Sequence, residues 1–146
     1  MHALLPLVAL LTAGPEPLTS IKVTGQVTFE GKLAVGCLEA NPKTHAGWQF
    51  RGSTQGRTAS GAYLTLNFRN AGPKTAGVQA LTPGTASTSI EYSPRDGAPS
   101  TSYFGIPDKV KVTLSADFKT ATVEGPFSSA TSDDPAVTVK ATVTCQ

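Results

Sequence analysis

Imidazole titrates near neutral pH, so a catalytic reading of this chain starts at its histidines. His45 lies in "EANPKTHAG", a loop with proline before it and glycine after it, while His2 falls in an apolar leader. With Asp96 and one of many serines, His45 would make up a nucleophilic triad on paper. No serine stands in a G-x-S-x-G elbow, the turn that raises such a nucleophile above its sheet. His45 therefore reads as a solvated loop residue. Glycoside hydrolysis needs two carboxyl groups facing each other across a cleft. Glu39, Glu91 and Glu124 fall near predicted strands at isolated outward positions and read as surface. Asp133 and Asp134 offer hard oxygens of the kind calcium takes, but beside Pro135 they read as a turn that starts a strand. There is no glycine-rich phosphate loop, no C-x-x-C and no N-x-S/T acceptor. The expectation is a protein with no catalytic residues, no metal and no cofactor, and so not an enzyme.

Binding chemistry has more to work with. Trp48 and Phe50 alternate in "WQFR" and read as core. Tyr63 is on the opposite face from Leu64. Tyr103 and Phe104 are adjacent, so simple alternation cannot bury both. Tyr63, Tyr103 and Phe104 are the candidate contacts for a lipid, a glycan or a protein partner, since an exposed aromatic offers both apolar area and a polar edge.

The two cysteines are Cys37 in "KLAVGCLEA" and Cys145 in the closing "VTVKATVTCQ". Alternation groups Cys37 with Leu33 and Val35, and Cys145 with Val137, Val139, Ala141 and Val143. Both thiols are thus predicted to point into the core, where two strands can be bridged. In an exported protein two cysteines read most simply as one disulfide. In the chain-entropy model, closing a loop of about 100 residues contributes about 4–5 kcal/mol. It would also fasten a terminal strand that otherwise frays. Two free buried thiols in a cytosolic protein are the alternative. A metal site is disfavoured, because neither cysteine has a Cys or His at ligand spacing.

The elements that must position these residues are strands. The 146 residues include twenty Thr, fourteen Gly and eleven Pro, a composition of short strands and many turns. "SIKVTGQVTFEGKLAVGC" reads as a hairpin turning at Glu30-Gly31, and "AYLTLNF", "STSIEY", "DKVKVTLSA", "TATVEGPF" and "AVTVKATVTC" follow as strands. "YFGI" is ambiguous, and Pro126 suggests an edge or a strand end. No stretch keeps a helical period. About eight short strands joined by uneven loops predict an all-β, antiparallel β-sandwich, immunoglobulin-like or related, with one disulfide. The Cys37, Trp48, Cys145 order is like that of an immunoglobulin domain, but no strand follows Cys145 and Val143 stands where the corner tyrosine would be.

Charge and leader set the compartment. The formal charge is only +2, from 12 basic and 10 acidic residues well mixed along the chain. No basic stripe with interleaved aromatics is present, which argues against nucleic acid. Residues 1–13, "MHALLPLVALLTA", have the shape of a signal peptide, with cleavage after Ala13 or as late as residue 20. That run is too short to span a bilayer as a helix. A single domain over residues 20–146 is expected to be secreted, periplasmic or envelope-associated.

The segment "ATVEGPFSSATSDDPAVTVKATVTCQ" and the cysteine in "LAVGC" resemble the mycobacterial surface lipoprotein-antigen family. That family ends in a strand with a penultimate cysteine, paired to a cysteine shortly after the first hairpin. The resemblance implies pairing of Cys37 with Cys145 in a compact exported sandwich, with a role at the cell surface and no catalytic residues. It does not extend to the family's lipidated N-terminal cysteine, since no cysteine follows the apolar run here. The function expected is a non-enzymatic protein that binds a partner, an apolar ligand or a glycan of the envelope. The alternative is a structural or assembly subunit of a surface layer, appendage or secreted complex.

Overall fold

Alternating Val, Ile, Leu and Thr drive the chain into ten antiparallel strands, and no helix forms among the described residues. The structure is a computed structural model that describes residues 18–41, 43–54 and 58–145. The leader therefore lies outside the described residues. The strands are β1 (Leu18–Gly25), β2 (Phe29–Asn41), β3 (Ala46–Ser53), β4 (Tyr63–Pro73) and β5 (Gly77–Gln79). They continue with β6 (Ala86–Ser93), β7 (Thr101–Gly105), β8 (Lys111–Leu114), β9 (Thr120–Ser129) and β10 (Pro135–Thr144).

The architecture corrects the sandwich. β10 pairs with β9 on one side and with β1 on the other, as in Val139↔Gly125 and Val139↔Val23. The ring β1-β2-β3-β4-β6-β7-β9-β10 closes into an eight-stranded antiparallel barrel. An immunoglobulin-like pair of sheets is excluded by that closure. Loop length misled the sandwich reading. The two longest connections, β3–β4 and β6–β7, lie at one end of the barrel, and their lengths carry no information about whether the first and last strands meet. Closure pairs every ring strand on both sides over part of its length.

One wall position is shared. β7 pairs with the C-terminal part of β9 through Tyr103↔Ser129 and Gly105↔Phe127. β8 then takes the same side of β9 through Lys111↔Glu124 and Leu114↔Ala121, with β5 beyond it. Pro126 stands at the break between them, so it lies in the wall of a closed barrel and not at an edge. Its carbonyl accepts from the Ile106 amide at 3.2 Å, and its missing N–H falls where neither β7 nor β8 has a ladder partner to lose.

The first turn also differs from expectation. It falls at Gly25, with φ of 122°, and Phe29 opens β2 opposite Val23, so Glu30 and Gly31 are strand residues. A Cβ at position 25 would come within 2.5 Å of the Ala136 carbonyl oxygen. Only glycine fits that approach.

Inward-facing side chains fill the barrel with a single apolar cluster that includes Leu33, Phe50, Leu64, Leu66, Phe68, Ile90, Val112, Val123, Phe127, Val139 and Val143. Phe50 and Phe68 stack with centroids 5.3 Å apart, and Trp48 packs on Phe68 at 4.7 Å. The outer face is mainly Thr, Ser, Lys and Glu, with Leu38, Val78 and Phe104 as exposed large apolar side chains among the described residues. Apolar inside and polar outside is the reverse of a membrane-spanning barrel.

Candidate functional site

Cys37 and Cys145 are joined, with Cα atoms 5.7 Å apart. Both thiols lie on the inward faces of their strands as expected, Cys37 opposite the buried Phe50 and Cys145 packed against the core, but at its rim and not within it. β2 runs past its last described pairing with β1, Leu18↔Ala34, so by Cys37 the inward face has reached the open rim. Cys37 is exposed and Cys145 half-buried. The bond ties β2 to the end of β10 beyond the β1 strand that lies between them.

The same overrun of β2 corrects Glu39. It is opposite Trp48, on the inward face, and its carboxylate meets the His45 imidazole and the Lys74 ammonium at the rim. His45 Nδ1 lies 3.0 Å from Oε2, and the Lys74 ammonium donates a hydrogen bond to Oε1. Lys74 also sits 5.7 Å from the centroid of the Trp48 ring. These contacts hold the Glu39 carboxyl below its ordinary value, the Lys74 hydrogen bond most of all and the His45 contact next. His45, read from sequence as a free loop residue, is thus tied down. Its φ is 54°, and its ring faces that of Phe118, φ 61°, at 5.8 Å. The cluster fastens the β2–β3, β4–β5 and β8–β9 connections to one another. The Glu39 carboxylate is held between the Lys74 ammonium and the His45 ring. Asp96, the other triad candidate, lies in the β6–β7 loop at the opposite end of the barrel.

The aromatic candidates separate. Tyr103 is 3% exposed and points into the core, where burial raises its phenol pKa, so it cannot meet a ligand. Tyr63 is half-buried at the start of β4. Phe104 is 46% exposed on the outer wall. Register places it beside Ser89 of β6, which is opposite Asn67 of β4, which is opposite Arg51 of β3. The neighbouring row runs Leu38, Gln49, Arg69, Ser87.

Between these rows lies a depression of ≈ 300 Å³, edged by Gln49, Asn67, Arg69, Ser87, Ser89 and Phe104. A second, of ≈ 260 Å³, shares Gln49 and Arg69 and extends over Asn70 and Thr85 towards the rim. The Arg69 guanidinium donates to Ser87 Oγ at 3.4 Å, which orients its fork along the wall. The two hollows form one shallow channel with an apolar ring at one end. Its middle carries planar amide and guanidinium groups, with hydroxyls along the sides. Sequence reasoning named Phe104 but missed Gln49, Asn67 and Arg69, because their convergence depends on strand register.

The fold defines a class: an antiparallel eight-stranded barrel with a packed apolar interior. Comparison with known protein families, curated proteins and solved structures finds no match. No His, Cys, Asp and Glu cluster of metal-binding size occurs among the described residues.

Proposed function

We propose that this protein is a non-enzymatic binding domain of the secreted or envelope compartment that holds a glycan along the outer wall of β3, β4, β6 and β7. The observation that carries the reading is the exposed Phe104 ring at the end of a channel lined by Gln49, Asn67, Arg69, Ser87 and Ser89. A sugar ring has an apolar face of C–H groups and an equatorial belt of hydroxyls. An aromatic ring matches the first, and amide, guanidinium and hydroxyl groups match the second in both donor and acceptor roles. The packed core supports a surface mode of binding over an interior one. The Cys37–Cys145 bond agrees with an oxidising compartment. The resemblance of the closing strand to the mycobacterial surface lipoprotein-antigen family points the same way.

The test is affinity electrophoresis through gels of envelope polysaccharides, followed by calorimetry on any that retard the protein. Phe104→Ala is expected to weaken binding at least about tenfold, with the melting temperature unchanged, because the ring is on the outer wall. Arg69→Ala should weaken it comparably. Retardation that survives both substitutions would remove the channel from consideration. Loss of self-association in Phe104→Ala, with no glycan bound by the parent, would favour the assembly-subunit reading instead.

A further inference from the structure

On the other side of the barrel, the outer face of β2, β1 and β10 carries a groove of ≈ 400 Å³. Its floor is backbone, the register row Gly31, Ile21, Ala141, with Ile21 and Ala141 turned inward. Two rows of outward side chains make its walls. One is Glu30, Lys22, Lys140, and the other is Lys32, Ser20, Thr142.

Lys22 and Lys140 are directly opposed across β1 and β10. Like charges in that position are destabilising. The other outward pairs along β10 are uncharged: Thr138 with Thr24, Thr142 with Ser20 and Thr122, Thr144 with Thr120. The two lysines are the exception on an otherwise neutral strand face. Nearby carboxylates relieve them only in part. Glu30 Oε2 is 4.0 Å from Lys22 Nζ, but both side chains are exposed, at 75% and 59%, where such pairs contribute little. Glu124 is opposite Lys140 on β9, and is itself shared with Lys111. The groove lining holds three lysines and one glutamate, which leaves nine basic and nine acidic residues in the rest of the chain. The entire formal charge of +2 is therefore carried by this groove.

We propose that the groove binds a phosphate group, carried either on a sugar or on a lipid headgroup. A tetrahedral anion offers separate oxygens to the opposed Lys22 and Lys140 ammoniums and to the Ser20 and Thr142 hydroxyls, while Lys32 closes one end. The anion converts the cross-strand repulsion into two charge-assisted hydrogen bonds. This site shares no residue with the Phe104 channel and stands independently of it.

The experiment titrates the protein with glucose 1-phosphate and, separately, with vesicles of phosphatidylglycerol or of phosphatidylcholine. Binding to glucose 1-phosphate is expected for a sugar source. Binding to phosphatidylglycerol vesicles alone is expected for a headgroup source. In either case affinity should fall with added salt. It should drop at least about tenfold in the double variant Lys22→Gln, Lys140→Gln. The control Lys109→Gln, Lys119→Gln should bind as the parent does. In the free protein, Lys140→Gln alone should leave the melting temperature unchanged or raise it. The proposal is overturned by an absence of binding to both probes, by equal losses in the two double variants, or by vesicle binding that ignores headgroup charge.

Discussion

Glu39 shows what a single side chain contributes to this fold. Its carboxylate joins His45 and Lys74 and so ties two connections, β2–β3 and β4–β5, together at the rim. Its folded pKa is held below the ordinary 4.5. The stability that it contributes is therefore fully present above that ordinary value and is lost as pH falls through the lowered folded value. The melting temperature of the parent is expected to fall more steeply with acid below about pH 4.5 than that of Glu39→Gln. Parallel curves for the two proteins would remove Glu39 from the account of acid stability. The alternation Leu33, Val35, Cys37 already reaches Glu39 if carried one step further, so its inward direction was legible in the sequence. Its partner was not. Lys74 is 35 residues away, and only the register of β2, β3 and β4 brings it there.

At the scale of elements, hydrophobic alternation located most of the strands, and backbone geometry located their interruptions. The hairpin was read as turning at Glu30-Gly31 because that pair has good turn chemistry. Gly25 won because the chain there passes too close to Ala136 for any side chain, a contact 111 residues distant that alternation cannot reveal. Gly125 is a similar case. Its φ is 140°, and a Cβ would lie 2.7 Å from the Lys109 carbonyl oxygen and 2.8 Å from Val110 Cα. It sits where β9 changes neighbour from β7 to β8. Gly125→Ala is expected to destabilise the barrel by about 1–3 kcal/mol from backbone strain alone. Gly36→Ala, with no atom within 4 Å of the new Cβ, should stay within about 0.5 kcal/mol of the parent. Urea denaturation of the two variants measures the difference, and equal stabilities would mean that β9 relaxes at the β7–β8 break.

For the whole molecule, the all-β class, the antiparallel pairing and the disulfide could be read from residue pattern. The closed barrel could not, because sandwich and barrel strands alternate identically and only the β1–β10 pairing separates them. Closure sets the Phe104 channel, on β3, β4, β6 and β7, about half a turn of the wall from the lysine groove on β2, β1 and β10. The packed apolar core lies between them. The Cys37–Cys145 bond also governs how the molecule yields to mechanical load. Everything from Cys37 to Cys145, 108 positions apart, is one covalent ring, and β1 lies outside it. Held by its two ends and pulled, the oxidised barrel can pay out only the chain from Leu18 to Cys37, roughly 65 Å at full extension. Once reduced, it can release more than about 400 Å. Single-molecule extension with and without reductant measures that ratio directly, and equal lengths would contradict the ring. A tether pulling on Leu18 would thus draw out β1 and the part of β2 before Cys37 and then stop, with β3, β4, β6 and β7 held inside the covalent ring.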